Sequence, residues 1–224
     1  MECMEGIEDL HNVGFIHRDI KPSNFAMGRK PSVAHTVFML DFGLARQYCT
    51  FDEKGNAKLR EPRRTVPFRG TIRYCSVSAH RRDEQGRHDD LWSLFYMTAE
   101  MILGSLPWYI FPNISILKVN FQDSDFFACL NLLRRMDREH AEACKKSSEK
   151  ELVSQLPVEF HLYVKHLKKL NYNHKPDYNL LSSLLKQIMK RANYNMSDPY
   201  DWEPNGEHAL KFTQWFVSIF LALF

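Results

Sequence analysis

The 224-residue chain has no cysteine framework: its five cysteines (Cys3, Cys49, Cys75, Cys129, Cys144) are dispersed, odd in number and free of any Cys-x-x-Cys pair. That excludes a disulfide scaffold and a zinc site of the usual spacing, and a reducing cytoplasmic or nuclear setting is expected. Charge excess is lacking too. Lys plus Arg at 30 against Asp plus Glu at 27 leaves +3, too little to argue for a nucleic-acid or membrane partner. The acidic start Met1-Glu2-Cys3-Met4-Glu5 lacks the basic and apolar regions of a secretory signal. The apolar stretch at 212–224 falls short of the ~20 residues a membrane span requires. The ten histidines include no His-Glu-x-x-His. What is present suits a globular domain: 44% hydrophobic and 25% charged residues, enough to bury roughly 70% of the unfolded surface.

Helical period appears at once. Met1, Met4, Ile7 and Leu10 recur with Glu2, Glu5 and Glu8 between them, predicting an amphipathic helix over 1–13 that Gly14 ends. Two apolar runs, 25–27 and 37–40, flank a polar stretch with Gly28, Pro31 and Ser32, predicting a small hairpin of buried strands. From 44 to 79 no period is sustained and Gly55, Pro62, Pro67 and Gly70 interrupt the chain, so a long functional loop is expected. Residues 91–103 are apolar almost all round and precede Gly104, predicting a central buried helix with a glycine cap. Phe160, Tyr163, Val164, Leu167 and Leu170 mark a later helical stripe, and Tyr178, Leu181, Leu184, Leu185 and Ile188 another. The expected fold is mainly α with a small β-hairpin, one domain over 1–206 and an apolar tail over 207–224.

Two polar motifs border the hairpin. His17-Arg18-Asp19-Ile20-Lys21-Pro22-Ser23-Asn24 precedes it and Asp41-Phe42-Gly43 follows it. Either alone is usually a surface loop or a turn, but together, on the two sides of a hairpin, they resemble the catalytic loop and metal-binding element of protein kinases. Phosphoryl transfer asks little covalent chemistry of a protein and much positioning. The resemblance implies that Asp19 orients a substrate hydroxyl and accepts its proton, while Lys21 places a point charge on the transferred phosphate. The Asp-x-Lys spacing resembles serine/threonine rather than tyrosine kinases. Asn24 and Asp41 offer hard oxygen ligands suited to Mg2+ bridging the phosphates of ATP, and with Lys21 they form the expected nucleotide-binding set. His17 and Phe42 are expected to pack the loop from beneath.

Further along, Phe68-Arg69-Gly70-Thr71-Ile72-Arg73-Tyr74-Cys75-Ser76-Val77 stands where most kinases have Ala-Pro-Glu, which resembles the casein kinase 1 group. Gly86-Arg87-His88-Asp89-Asp90-Leu91-Trp92-Ser93, Leu106-Pro107-Trp108, Glu159-Phe160-His161-Leu162 and Lys175-Pro176-Asp177-Tyr178 resemble its tau-tubulin kinase branch. By that resemblance Asp90 starts the buried helix and holds the catalytic loop through its backbone. Lys58, Arg60, Arg63, Arg64, Arg69 and Arg73 put six positive charges into sixteen residues. Guanidinium groups pair bidentately with phosphate, so Arg63, Arg64, Arg69 and Arg73 are expected to dock acidic or phosphorylated protein substrates, with Arg18 able to join them. A solvated basic loop is the alternative.

The resemblance also implies a smaller lobe with a glycine-rich loop, a strand lysine and a helix glutamate, and these residues hold none of the three. The expectation is a kinase-like C-terminal lobe with the N-terminal lobe absent, able to hold magnesium and substrate but binding ATP poorly. Two functions follow: a partial catalytic domain of a serine/threonine protein kinase, or a lobe-only binding module or decoy. Residues 109–133 are aromatic-rich where the group has polar sequence, and removing them would join Trp108 to Arg134 as a family-like Pro-Trp-Arg. The stretch is either an insertion or an extra helix. Ser78 stands where the group has asparagine.

Overall fold

The computed structural model describes residues 1–29, 31–108, 136–195, 198–200 and 203. The stretch 109–133 and the tail 207–224 lie outside the described residues. The chain divides into two compact units, Met1–Leu185 and Lys186–Phe224, and the site lies in the first.

The first helix, α1 (Glu2–Asn12), buries Met4, Ile7 and His11 on the face set by its period and packs against β1 (Phe15–Ile16), β3 (Val37–Met39) and α3 (Arg87–Leu103). Strands β1 (Phe15–Ile16) and β4 (Arg46–Gln47), β2 (Phe25–Met27) and β3 (Val37–Met39), and β5 (Cys49–Phe51) and β6 (Ala57–Leu59) form three antiparallel pairs. In the β2–β3 hairpin Phe25 opposes Met39. The expected hairpin is present, but its strands are only partly buried: Phe38 is 45% exposed. The expected long loop from 44 to 79 holds strands of two or three residues, too short to leave a period in sequence, and the short helix α2 (Val77–His80), capped by the Ser76 side chain.

Helix α3 (Arg87–Leu103) forms the spine and ends at Gly104, whose φ of +80° is the left-handed conformation glycine adopts without strain. It is longer than its apolar run, because Arg87, His88, Asp89 and Asp90 are themselves buried, while Met101 and Ile102 face solvent. After the helical segment 136–147 come α4 (Glu149–Ser154), α5 (Glu159–Leu167) and α6 (Tyr178–Arg191). Leu91 and Phe95 of α3 meet Phe160 and Tyr163 of α5, with Phe95 ring centroids 5.9 and 6.2 Å from theirs. Each such side chain contributes about 1.5–3 kcal/mol by leaving water. This core fixes the N-terminal end of α3, and with it Asp90, beneath the 17–24 loop.

Candidate active site

Asp90 is 1% exposed, and a carboxylate in that position costs several kcal/mol unless hydrogen bonds replace its water. They do. Its Oδ2 accepts the His17 N–H at 2.7 Å and the His11 Nε2–H at 3.0 Å, and its Oδ1 accepts the Arg18 N–H at 2.8 Å. Burial alone would raise its pKa, but the donors from His11, His17 and Arg18 outweigh burial and hold it below the usual carboxylate range. Tyr178 O–H in turn donates to His11 Nδ1 at 2.6 Å, so α1, α3 and α6 residues of one unit converge on the loop. The implied role of Asp90 is therefore visible. Arg18 adopts φ +68° there, a strained conformation that the two Asp90 bonds hold in place.

Asp19 is 8% exposed. Its Oδ2 accepts from Lys21 Nζ at 2.6 Å and its Oδ1 from Thr71 Oγ1 at 2.7 Å. Its backbone is held as well: Asn24 Nδ2 donates to Asp19 O at 2.8 Å, and Asp19 N–H donates to His17 Nδ1 at 3.3 Å. His17 is buried, its Nε2–H donating to Leu40 O at 3.0 Å, and its ring lies 5.5 Å from that of Phe42. Thr71 reaches Asp19 because Gly70 stands directly over the loop. With φ +110°, a Cβ there would lie 2.6 Å from Arg18 O, so no larger residue fits the approach.

Asn24 and Asp41 are brought together by the hairpin. Leu40 N–H donates to Asn24 O at 2.8 Å, so Asp41 follows the residue paired with Asn24. Asp41 is exposed, in the left-handed region at φ 59°, its Oδ1 accepting from Gly43 N–H at 3.2 Å. The amide nitrogen of Asn24 is committed to Asp19, which leaves its oxygen as the donor for a cation. Two neighbouring oxygen ligands, one neutral and one anionic, fit a hard divalent ion. Among the described residues no group of three or more His, Cys, Asp or Glu could hold a metal.

The arginines do not form one patch. Arg63 Nε donates to Glu84 Oε2 at 2.5 Å and Arg46 Nε lies 3.1 Å from Glu84 Oε1. Burial raises the pKa of Glu84, but the Arg63 hydrogen bonds and the Arg46 charge bring it below its ordinary value. Arg18, whose Nε donates to Leu44 O at 2.7 Å, has its pKa lowered by burial and by the like charges of Arg46, Arg63 and Arg69, with Glu84 opposing. Arg18, Arg46, Arg63 and Arg69 thus share one neighbourhood with Glu84. Arg64 lines a depression of about 340 Å³ with Arg63, Ser78, His88 and Tyr172. Arg73 lies apart, its Nη1 3.1 Å from Glu100. A groove of about 840 Å³ runs past Lys21 and Thr71 to Ile72, Tyr74 and Trp108. Thr71, Arg46 and Glu84 carry no site signal in the sequence: their partners lie far away in it, and no local pattern announces them.

Residues 1–193 match the protein kinase domain family. A Caenorhabditis elegans protein named as a serine/threonine-protein kinase, K06H7.1, is 43% identical over 200 residues, covering 89% of this chain and 51% of that protein. A Dictyostelium discoideum protein named likewise is 34% identical over 203 residues, 91% of this chain and 36% of its own length. The serine/threonine-protein kinase spe-6 of C. elegans is 32% identical over 204 residues, 91% of this chain and 48% of its own length. The chain spans about half the length, or less, of these relatives. A buried aspartate gripping the backbone of a loop, a second aspartate on its floor and a third across a hairpin thus coincide with a match running from residue 1 to 193, and the chain belongs to the protein kinase domain family.

Proposed function

We propose that the full-length protein transfers the γ-phosphoryl group of ATP to serine and threonine hydroxyls of protein substrates, and that residues 1–206 form the large lobe of its catalytic domain. The observation that carries this reading is the Asp19 carboxylate, held by Thr71 and Lys21, two residues that line an open groove, with its backbone oxygen bonded to Asn24. A substrate hydroxyl entering along the groove donates to Asp19, which orients its oxygen for in-line attack and takes its proton. Lys21, 24% exposed beside Asp19, is free to swing its ammonium to the transferred phosphoryl oxygens. Asn24 and Asp41 would hold Mg2+, which supplies charge neutralisation across the ATP phosphates. An intact Asp19, Asn24 and Asp41 set favours catalysis over a binding module or decoy.

The motifs at 68–77 and 86–96 support a place in the casein kinase 1 group, nearest the tau-tubulin branch. The Arg18, Arg46, Arg63 and Arg69 neighbourhood around Glu84 supports acidic or already phosphorylated substrates; the dispersed cysteines favour the cytoplasm or nucleus. The test is a panel of serine, threonine and tyrosine peptides, each neutral or with a neighbouring phosphoserine, given to the full-length protein with Mg-ATP. Transfer to serine and threonine, faster beside phosphoserine, is expected. Transfer to tyrosine alone, or to none, would overturn the assignment, and indifference to phosphoserine would remove the substrate preference.

A further inference from the structure

Lys145 is the most deeply buried cation among the described residues, at 1% exposure. It belongs to the helical segment 136–147 and reaches under the turn 71–75. Its Nζ donates to Ile72 O at 2.7 Å and to Cys75 O at 2.6 Å, and it points its third hydrogen at His80 Nε2, 3.0 Å away. The rings of Tyr96 and Trp108 flank it at 5.1 and 5.2 Å, and Trp108 Nε1–H donates to the intervening carbonyl of Arg73 at 2.7 Å. An ammonium out of water is stable only where every hydrogen has an acceptor. Here three hydrogens meet three close acceptors, with Cys75 Sγ a longer contact at 3.8 Å, and two of the three are backbone carbonyls of one turn.

That turn does chemistry at its other end. Thr71 accepts the Tyr74 and Cys75 N–H groups at 3.0 and 2.9 Å, and its hydroxyl bonds Asp19. The clamp and the proposed base are therefore linked through one residue. We propose that Lys145 is a positioning residue for the transfer reaction, its buried ammonium holding the turn 71–75 so that Thr71 keeps the Asp19 carboxylate in its reactive orientation. This rests on the reading of the site as a kinase centre.

The clamp has a pH signature. Burial pushes Lys145 down to about 8, and a neutral amine keeps only two hydrogens for three acceptors. The groups facing it do not titrate nearby. Burial raises the Cys75 thiol to about 11 and lowers His80 to about 3, and burial raises Tyr96 on α3 still further. Asp89, behind Cys75, has its pKa raised by burial and accepts from Ser76 and Gly86, while Glu142 on Lys145's own segment is paired with Arg81 and Lys146. An alkaline fall in turnover with a midpoint near 8 then belongs to Lys145.

The experiment uses the full-length protein with Mg-ATP and a serine peptide, comparing wild type with Lys145→Met, Thr71→Val and the double variant. Lys145→Met is expected to lower kcat about 10- to 100-fold with KM for ATP changed less than about threefold. It should also abolish the alkaline fall. Because both residues act on Asp19 along one route, the double variant should lose no more than the worse single one. Wild-type kcat in Lys145→Met, fully multiplicative losses, or an unchanged alkaline limb would overturn the proposal. Should Lys145→Met not fold, an alkaline limb in wild type that persists in Thr71→Val still overturns it, and one that disappears supports it. Failure of wild-type transfer would strike the kinase reading instead. Amide exchange then decides for the clamp: a loss of protection at Tyr74 and Cys75 above pH 8, beyond the intrinsic base-catalysed rise in exchange, supports it, and unchanged protection refutes it.

Discussion

The two halves of the site are built differently. The 17–24 loop is gripped from inside the fold: Asp90 takes two of its backbone N–H groups, Asn24 returns to Asp19 O, and Thr71 crosses 52 residues to reach Asp19. The Asp41-Phe42-Gly43 segment is exposed, Phe42 at 50%, and the Asp41 carboxylate accepts from Gly43, two residues away. One half is preorganised by buried charge. The other is a short turn that presents a carboxylate to whatever approaches. Positioning a proton acceptor demands fixed geometry, whereas a metal ligand gains part of its order from the ion it binds. The two halves should therefore fail in different ways.

Asp90→Ala should show the larger effect. It leaves two backbone N–H groups and His11 without their acceptor, at a cost of about 3–5 kcal/mol, and should abolish transfer; chemical denaturation of the full-length protein measures the first and a peptide assay the second. Asp41→Asn should do the opposite: rate at fixed Mg2+ falls about 100-fold while stability stays within about 0.5 kcal/mol, because the residue is exposed. Equal destabilisation by both would erase the distinction between the halves.

Acid should loosen the buried half from below. Burial, with the Lys145 charge second, holds His80 down to about 3, whereas the unfolded chain takes up that proton near 6.5. Its contribution is complete above pH 6.5 and is lost as pH falls toward 3, by on the order of 4 kcal/mol over the whole window. Thermal unfolding at stepped pH checks this, and His80→Asn should flatten the slope. The smallest effect belongs to the arginines. Glu substituted at both Arg63 and Arg64 should weaken the use of acidic or phosphorylated peptides several-fold more than neutral ones. Equal loss on both would show that the cluster is a solvated loop.

Periodicity and two motifs made half of this legible. The 1–13 period became α1, the two apolar runs became β2 and β3, and the glycine after Leu103 ended α3. Asp19, Lys21, Asn24 and Asp41 stood in recognisable spacing. What stayed hidden depends on tertiary approach. Strands β4, β5 and β6 are too short for a period. Lys145 sits beside Lys146 in a polar run that reads as a solvated face, and only the carbonyls of a distant turn make its burial tolerable. Arg63 and Arg73 are expected to dock substrate; that Glu84 and Glu100 pair with them is not visible in the sequence, where neither glutamate is near them.

The most direct test is single-turnover phosphoryl transfer by the full-length protein and its Asp19→Asn variant at saturating Mg-ATP. The account predicts a fall of about a thousandfold or more in rate, with folding and Mg-ATP affinity unchanged. Transfer retained within about tenfold of wild type would contradict it, because the Asp19 carboxylate would then not be the base.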